Sequence, residues 1–128
     1  MAGRDRLARE LHPELAPWAA WLYDVAAYYG LAPRVTSVYR SRAYQAQLYA
    51  KWSALRNAGL SNQQIGQGYG LWTPLPPGRS LHEYGLAFDM AVKDPAGLGE
   101  VWRSVGGYWA GPSDPVHFAV TRSIDDLL

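Results

Sequence analysis

Residues 80–92 read Ser-Leu-His-Glu-Tyr-Gly-Leu-Ala-Phe-Asp-Met-Ala-Val, and this stretch decides how the chain folds. Its second half, residues 86 to 92, is a short apolar run with one charge, Asp89, near its centre. A run of that length predicts a strand. A carboxylate inside it has to be exposed, paired or bound to a cation, because an isolated buried charge is too costly to keep. His82 precedes Asp89 by seven residues, at the mouth of a loop, and Gly85 between them lets the backbone turn closely.

On the N-terminal side, Leu15, Trp18, Leu22, Val25 and Tyr29 follow a spacing that lays one stripe along a helix, with Gly30 as its stop. Residues 34 to 39, RVTSVY, predict a strand that leads into Arg40. Ser41 then caps a second helix with Tyr44, Leu48, Trp52 and Leu55 as its buried face, ending at Gly59. Residues 60 to 81 read as a long loop in which glycines alternate with Pro74, Pro76 and Pro77; only Ser61 and Gln64 suggest a brief capped turn. Loops of that length inside a compact domain are commonly functional.

On the C-terminal side, Asp94 and Pro95 open a short helix towards Val105, weakened by Gly97 and Gly99. After the turn AGPSDP a last strand covers residues 116 to 120. Strands and helices do not alternate as regular βαβ units, so the expected class is α+β, with a small central antiparallel sheet flanked by helices. At 128 residues this is a single domain, 1–128, with one core.

Composition narrows the function. Twelve Lys and Arg stand against eleven Asp and Glu, interspersed along the chain, which is not the footprint of a nucleic-acid binder. No window is apolar enough for a transmembrane segment, and the opening MAGRDRLARELHPE lacks the apolar run of a signal peptide. Cysteine is absent, so any metal has to be held by His, Asp or Glu, and there are three histidines.

His82, Asp89 and His117 supply two imidazoles and a carboxylate, a sufficient protein shell for a catalytic zinc with a position left for water. Asp114, three residues before His117 in a turn, is placed for a general base. Taken singly each has an ordinary alternative: a core histidine, a solvent-facing aspartate, a turn former. His12, before Pro13 at a helix start, reads as a surface residue. Arg40 has the planar fork suited to a substrate carboxylate or an oxyanion, and Tyr39, Trp72, Tyr84, Tyr108 and Trp109 could wall a groove.

The run Ser80-Leu81-His82-Glu83-Tyr84-Gly85-Leu86-Ala87-Phe88-Asp89 resembles the S-x-H-x-x-G-x-A-x-D signature of the VanY-like D-alanyl-D-alanine carboxypeptidases and L-alanyl-D-glutamate endopeptidases, zinc enzymes that include phage endolysins. Asp114-Pro115-Val116-His117-Phe118 is similar to their closing D-x-x-H-F element, and Arg40 with Gln45 matches an arginine and glutamine five residues apart. The resemblance implies a hedgehog/D-Ala-D-Ala peptidase-like fold, zinc on His82, Asp89 and His117, Asp114 as catalytic acid and base, and Arg40 as a catalytic and substrate contact. Gln45 and Ser80, within the matching motifs, and Tyr39, beside Arg40, are expected to bind substrate. It further implies hydrolysis of the peptidoglycan stem peptide, by an endolysin released from a host cytoplasm or by a component of a phage particle. Ala119 departs from the pattern, since an acidic residue often follows the His-Phe pair. The competing expectation is a non-catalytic wall-binding or virion structural module that keeps the fold.

Overall fold

The computed structural model describes residues 2–127. The chain opens with a helix that the sequence pattern did not announce, α1 (Ala2–Glu10), of which Leu7 alone is fully buried. It is followed by α2 (Ala16–Tyr28), β1 (Arg34–Ser37), α3 (Arg42–Asn57), α4 (Asn62–Tyr69) and a 3-10 turn (Leu81–Tyr84). Then come β2 (Ala87–Ala91), α5 (Pro95–Ser104), β3 (Tyr108–Trp109), β4 (His117–Ala119) and a last 3-10 turn (Ile124–Leu127). The sheet is antiparallel throughout, in the order β1-β2-β4-β3, and so bears out the α+β expectation.

Side-chain alternation divides this sheet into two jobs. Phe88, Met90 and Phe118 point to one face and join Leu7, Leu22, Ala26, Leu98 and Trp102 in the main core. Phe88 and Phe118 stack there with centroids 5.6 Å apart. Ala87, Asp89, His117 and Ala119 occupy the other face, with Ala87 opposite Ala119 and Asp89 opposite His117. A slip of one residue would bury Asp89 in the core, so the apolar pattern fixes the register that turns the carboxylate to the opposite face. Ala119 is wholly buried, and its carbonyl accepts a hydrogen bond from Trp102 Nε1 at 3.0 Å.

Three sequence expectations change. The α2 stripe is rotated: Leu15 and Leu22 are buried, but Trp18 and Tyr29 are exposed, and Ala19, Ala20 and Ala26 take the contact positions because small side chains let α2 sit close to the core. The face expected for α3 is only half-buried, with Tyr44 exposed and Gln45 the one fully buried residue of the helix. The segment 60 to 81 is not all loop. Ser61 and Gln64 form a reciprocal capping box, and the helix it starts runs eight residues to Gly70, a left-handed cap. Gly66 is required inside it, since a Cβ there would collide with the Trp72 ring.

Gly85 ends the first 3-10 turn at φ +69°, and its carbonyl accepts from His12 N at 2.9 Å. A Cβ at this position would lie 2.8 Å from the same nitrogen. Gly85→Ala is therefore expected to cost about 1 to 3 kcal/mol of stability, read as a lower denaturation midpoint, because both the left-handed backbone and the contact with the α1–α2 connection resist a side chain.

Candidate metal centre and its cavity

The first 3-10 turn delivers His82. Ser80 caps it by accepting from His82 N, and Glu83 returns the favour by accepting from Ser80 N at 3.0 Å and Gly78 N at 2.9 Å. The Glu83 side chain is almost entirely buried, a structural role the sequence reading missed although Ser-x-x-Glu is a capping-box pattern. His82 is itself buried; its Nδ1 lies 2.7 Å from the Val38 carbonyl, and its own carbonyl accepts from Arg40 N. A carbonyl only accepts, so Nδ1 donates to it and Nε2 is the ring nitrogen turned towards the site.

Asp89 Oδ1 lies 3.3 Å from that Nε2 and 3.2 Å from Nδ1 of His117. One ligand atom from each of the three residues falls within 4.8 Å of the others. Four donors at ~2.0 to 2.1 Å around a tetrahedral zinc are ~3.3 to 3.4 Å apart, so the two observed edges already have the length such an ion requires. The donor set and its spacing thus fit zinc.

A bulge in β1 between Val35 and Ser37 sets Ser37, rather than Thr36, opposite Asp89. Ser37 Oγ then accepts from Arg40 Nε at 3.1 Å, while Arg40 NH2 reaches Asp89 Oδ2 at 3.3 Å. Gln45 Oε1 takes NH1 at 3.5 Å, and its amide nitrogen donates to the Leu75 carbonyl at 2.8 Å, tying α3 and the 71–79 segment to the site. Arg40 thereby fixes Oδ2 and leaves Oδ1 for the two imidazoles. Burial alone would raise the Asp89 carboxyl; hydrogen bonds with His117 and His82, and their charge, outweigh it and hold the group well below the ordinary carboxylate range.

Asp114 stands at the mouth. The turn that carries it is closed by Asp114 N to Gly111 O and by His117 N to Asp114 O. Its carboxylate makes no hydrogen bond or ion pair with the described residues. Desolvation and the charge of Asp89 push its pKa up, against the opposing pull of His117, His82 and Arg40. Exposed, unpartnered and raised, it is a carboxylate available to exchange protons.

These groups share a cavity of about 650 Å³. Arg40, Gln45, Ser80, His82, Asp89, Asp114 and His117 all line it. Tyr39 does not; it is half exposed, and its backbone N–H donates to Glu10. Of the five aromatics expected to wall a groove, Trp72 alone lines the cavity, joined by Tyr44 and Tyr69, which the sequence reading had not assigned there. Trp109 packs in the core and Tyr84 hydrogen-bonds the Gly78 carbonyl. His12 is exposed, away from the cluster, and its Nδ1 accepts from Glu14 N, in line with its surface reading.

The family model for D-alanyl-D-alanine carboxypeptidase (VanY) matches residues 8–105. The chain belongs to the VanY family. That match includes His82 and Asp89 but stops short of His117, which the β2–β4 register brings opposite Asp89. Solved VanY-like structures share the fold. VanYB in complex with D-alanine-D-alanine superposes with a TM-score of 0.57 at 24% identity, covering 85% of this chain and 70% of that one. The E175A mutant of the vancomycin-resistance D,D-pentapeptidase VanY, in complex with Zn(II), gives 0.55 at 23%, covering 87% and 73%. The LD-carboxypeptidase LdcB gives 0.60 at 18%, covering 85% of this chain and 58% of its own. No curated protein matches the sequence. No helix among the described residues is long and apolar enough to cross a membrane.

Proposed function

We propose that this VanY-family chain is a zinc peptidase that hydrolyses the peptide stem of bacterial peptidoglycan, with residues 1–128 as its catalytic domain. The observation that carries this reading is the convergence of the His82 and His117 nitrogens on one oxygen of Asp89, at the edge lengths of a zinc tetrahedron. His82, Asp89 and His117 hold the metal. Zinc bound there supplies Lewis acidity, polarising the scissile carbonyl and easing deprotonation of water.

The remaining work falls to side chains of the cavity. Asp114 takes the proton from the attacking water and returns it to the departing amine. Arg40 holds Asp89 in place and, from the cavity wall, offers positive charge to a substrate carboxylate or to the oxyanion that develops. Gln45 and Ser80 line the substrate path and position Arg40 and the His82 turn. Tyr39, outside the cavity, is proposed as a contact for substrate beyond its rim. The D-Ala-D-Ala bond is the favoured point of attack, on the family's description and the ligand of VanYB; L-Ala-D-Glu cleavage is the competing specificity. The motif's likeness to endolysins adds a phage setting, released or virion-borne, to the same reading.

Digestion of purified peptidoglycan tests it, with the fragments weighed by mass spectrometry. Loss of a terminal D-alanine is expected, stopped by a chelator and restored by zinc. Wall binding without cleavage, indifferent to chelation, would instead show a non-catalytic module.

A further inference from the structure

Between residues 25 and 82 the chain carries six Arg or Lys and no Asp or Glu, whereas all eleven acidic residues lie outside that segment. Three of the six are committed to carboxylates: Arg40 to Asp89, Arg42 to Glu83, Arg79 to Asp125. Lys51 is different. Among the described residues it has no carboxylate partner; its Nζ sits 5.6 Å from the centroid of the Tyr69 ring, and it lines the cavity of the metal centre. A cation lodged over a ring keeps its charge available to an anion.

The helix that bears it measures the distance. Tyr44, Gln45, Leu48 and Lys51 all line the cavity, a spacing that places them along one face of α3. From Gln45, which is bonded to Arg40 beside the metal centre, to Lys51 is six residues, or ~9 Å of helix axis. An extended peptide covers that length in about three residues. Tyr69, beside Lys51, and Trp72 add flat aromatic wall to the same cavity.

We propose that Lys51, flanked by Tyr69, forms an outer subsite that takes the free α-carboxylate of the glutamyl residue of the stem, about three residues from the bond that is cut. In a stem cleaved at its terminal D-Ala-D-Ala bond the glutamyl residue stands at that separation. The proposal rests on the peptidase reading and names the part of the substrate the cavity recognises away from the chemistry.

The test compares two synthetic stem pentapeptides, identical except that the glutamyl α-group is a carboxylate or a carboxamide. Zinc-loaded wild type, Lys51→Met and Lys51→Arg are assayed for cleavage and, by calorimetry, for binding. Wild type is expected to favour the carboxylate peptide about 5- to 20-fold in KM with little change in kcat, an advantage that shrinks as salt is raised. Lys51→Met removes the preference for the carboxylate peptide, and Lys51→Arg retains it. Equal KM for both peptides in wild type, or a preference that survives Lys51→Met, overturns the subsite and leaves the peptidase reading standing. Selective binding without cleavage overturns the peptidase reading and leaves the subsite standing. Failure to bind or cut either peptide overturns both.

Discussion

Asp114→Asn is expected to lower kcat by about 10²- to 10⁴-fold, the usual contribution of a positioned proton carrier, while the protein binds zinc as tightly as before. The side chain has no hydrogen bond or ion pair to lose among the described residues, so the fold does not depend on it. Its carboxyl is pushed up by desolvation and by Asp89, which brings it towards the range in which a carboxylate both takes and gives a proton. Asparagine keeps the shape of the turn and removes only that exchange. Zinc content and kcat measured on the same preparation check this result; full turnover by the variant would remove Asp114 from the reaction.

Asp89→Ala is expected to act on everything at once. It removes one of three metal ligands, strips both imidazoles of their shared partner and leaves Arg40, only partly exposed, without its carboxylate. Cleavage of peptidoglycan should fall to background. In the metal-free protein an orphaned, part-buried guanidinium costs about 1 to 3 kcal/mol, so the denaturation midpoint should drop even before zinc is added. Arg40→Ala provides the complement. It keeps all three ligands but frees Oδ2 of Asp89, and weaker zinc affinity by about 10- to 100-fold is expected from the loss of that outer support. Unchanged midpoint and metal content in Asp89→Ala would mean that the cluster neither holds the sheet nor a cation.

What could be read from the sequence is what local rules govern. Ser41 caps α3, Asp94 and Pro95 open α5, and an aspartate stranded in LAFDMAV marks a strand with one face turned to chemistry; the structure places all three as expected. His82, Asp89, Asp114 and His117 stand out in the sequence only as a set, because each alone has an ordinary alternative while two histidines with carboxylates are what a zinc shell without cysteine requires. The errors have a common cause in packing. Large spacing-matched residues such as Trp18 and Tyr29 were assigned to the core, yet the close approach of α2 selects alanines. The α4 helix was hidden by Gly66 and Gly68, the first of which exists to admit Trp72. The cavity wall built by Tyr44, Lys51 and Tyr69 depends on how α3 and α4 meet, and no short motif records a meeting of two helices.

The Ala119 departure also acquires a physical reason. The position is wholly buried on β4, two residues after His117, in a small apolar cluster with Leu81 and Ala87. An acidic side chain there would need a partner that this cluster does not offer. Orientation of the centre rests instead on the Val38 carbonyl behind His82 and on Arg40 behind Asp89.

The most direct measurement is a zinc titration of metal-free protein against a chromophoric competitor, run in parallel on His82→Ala and His117→Ala. The account predicts one tightly bound zinc per wild-type chain and a loss of that binding in each variant. A wild-type protein that takes up no zinc, or variants that bind it as well as wild type does, would contradict it.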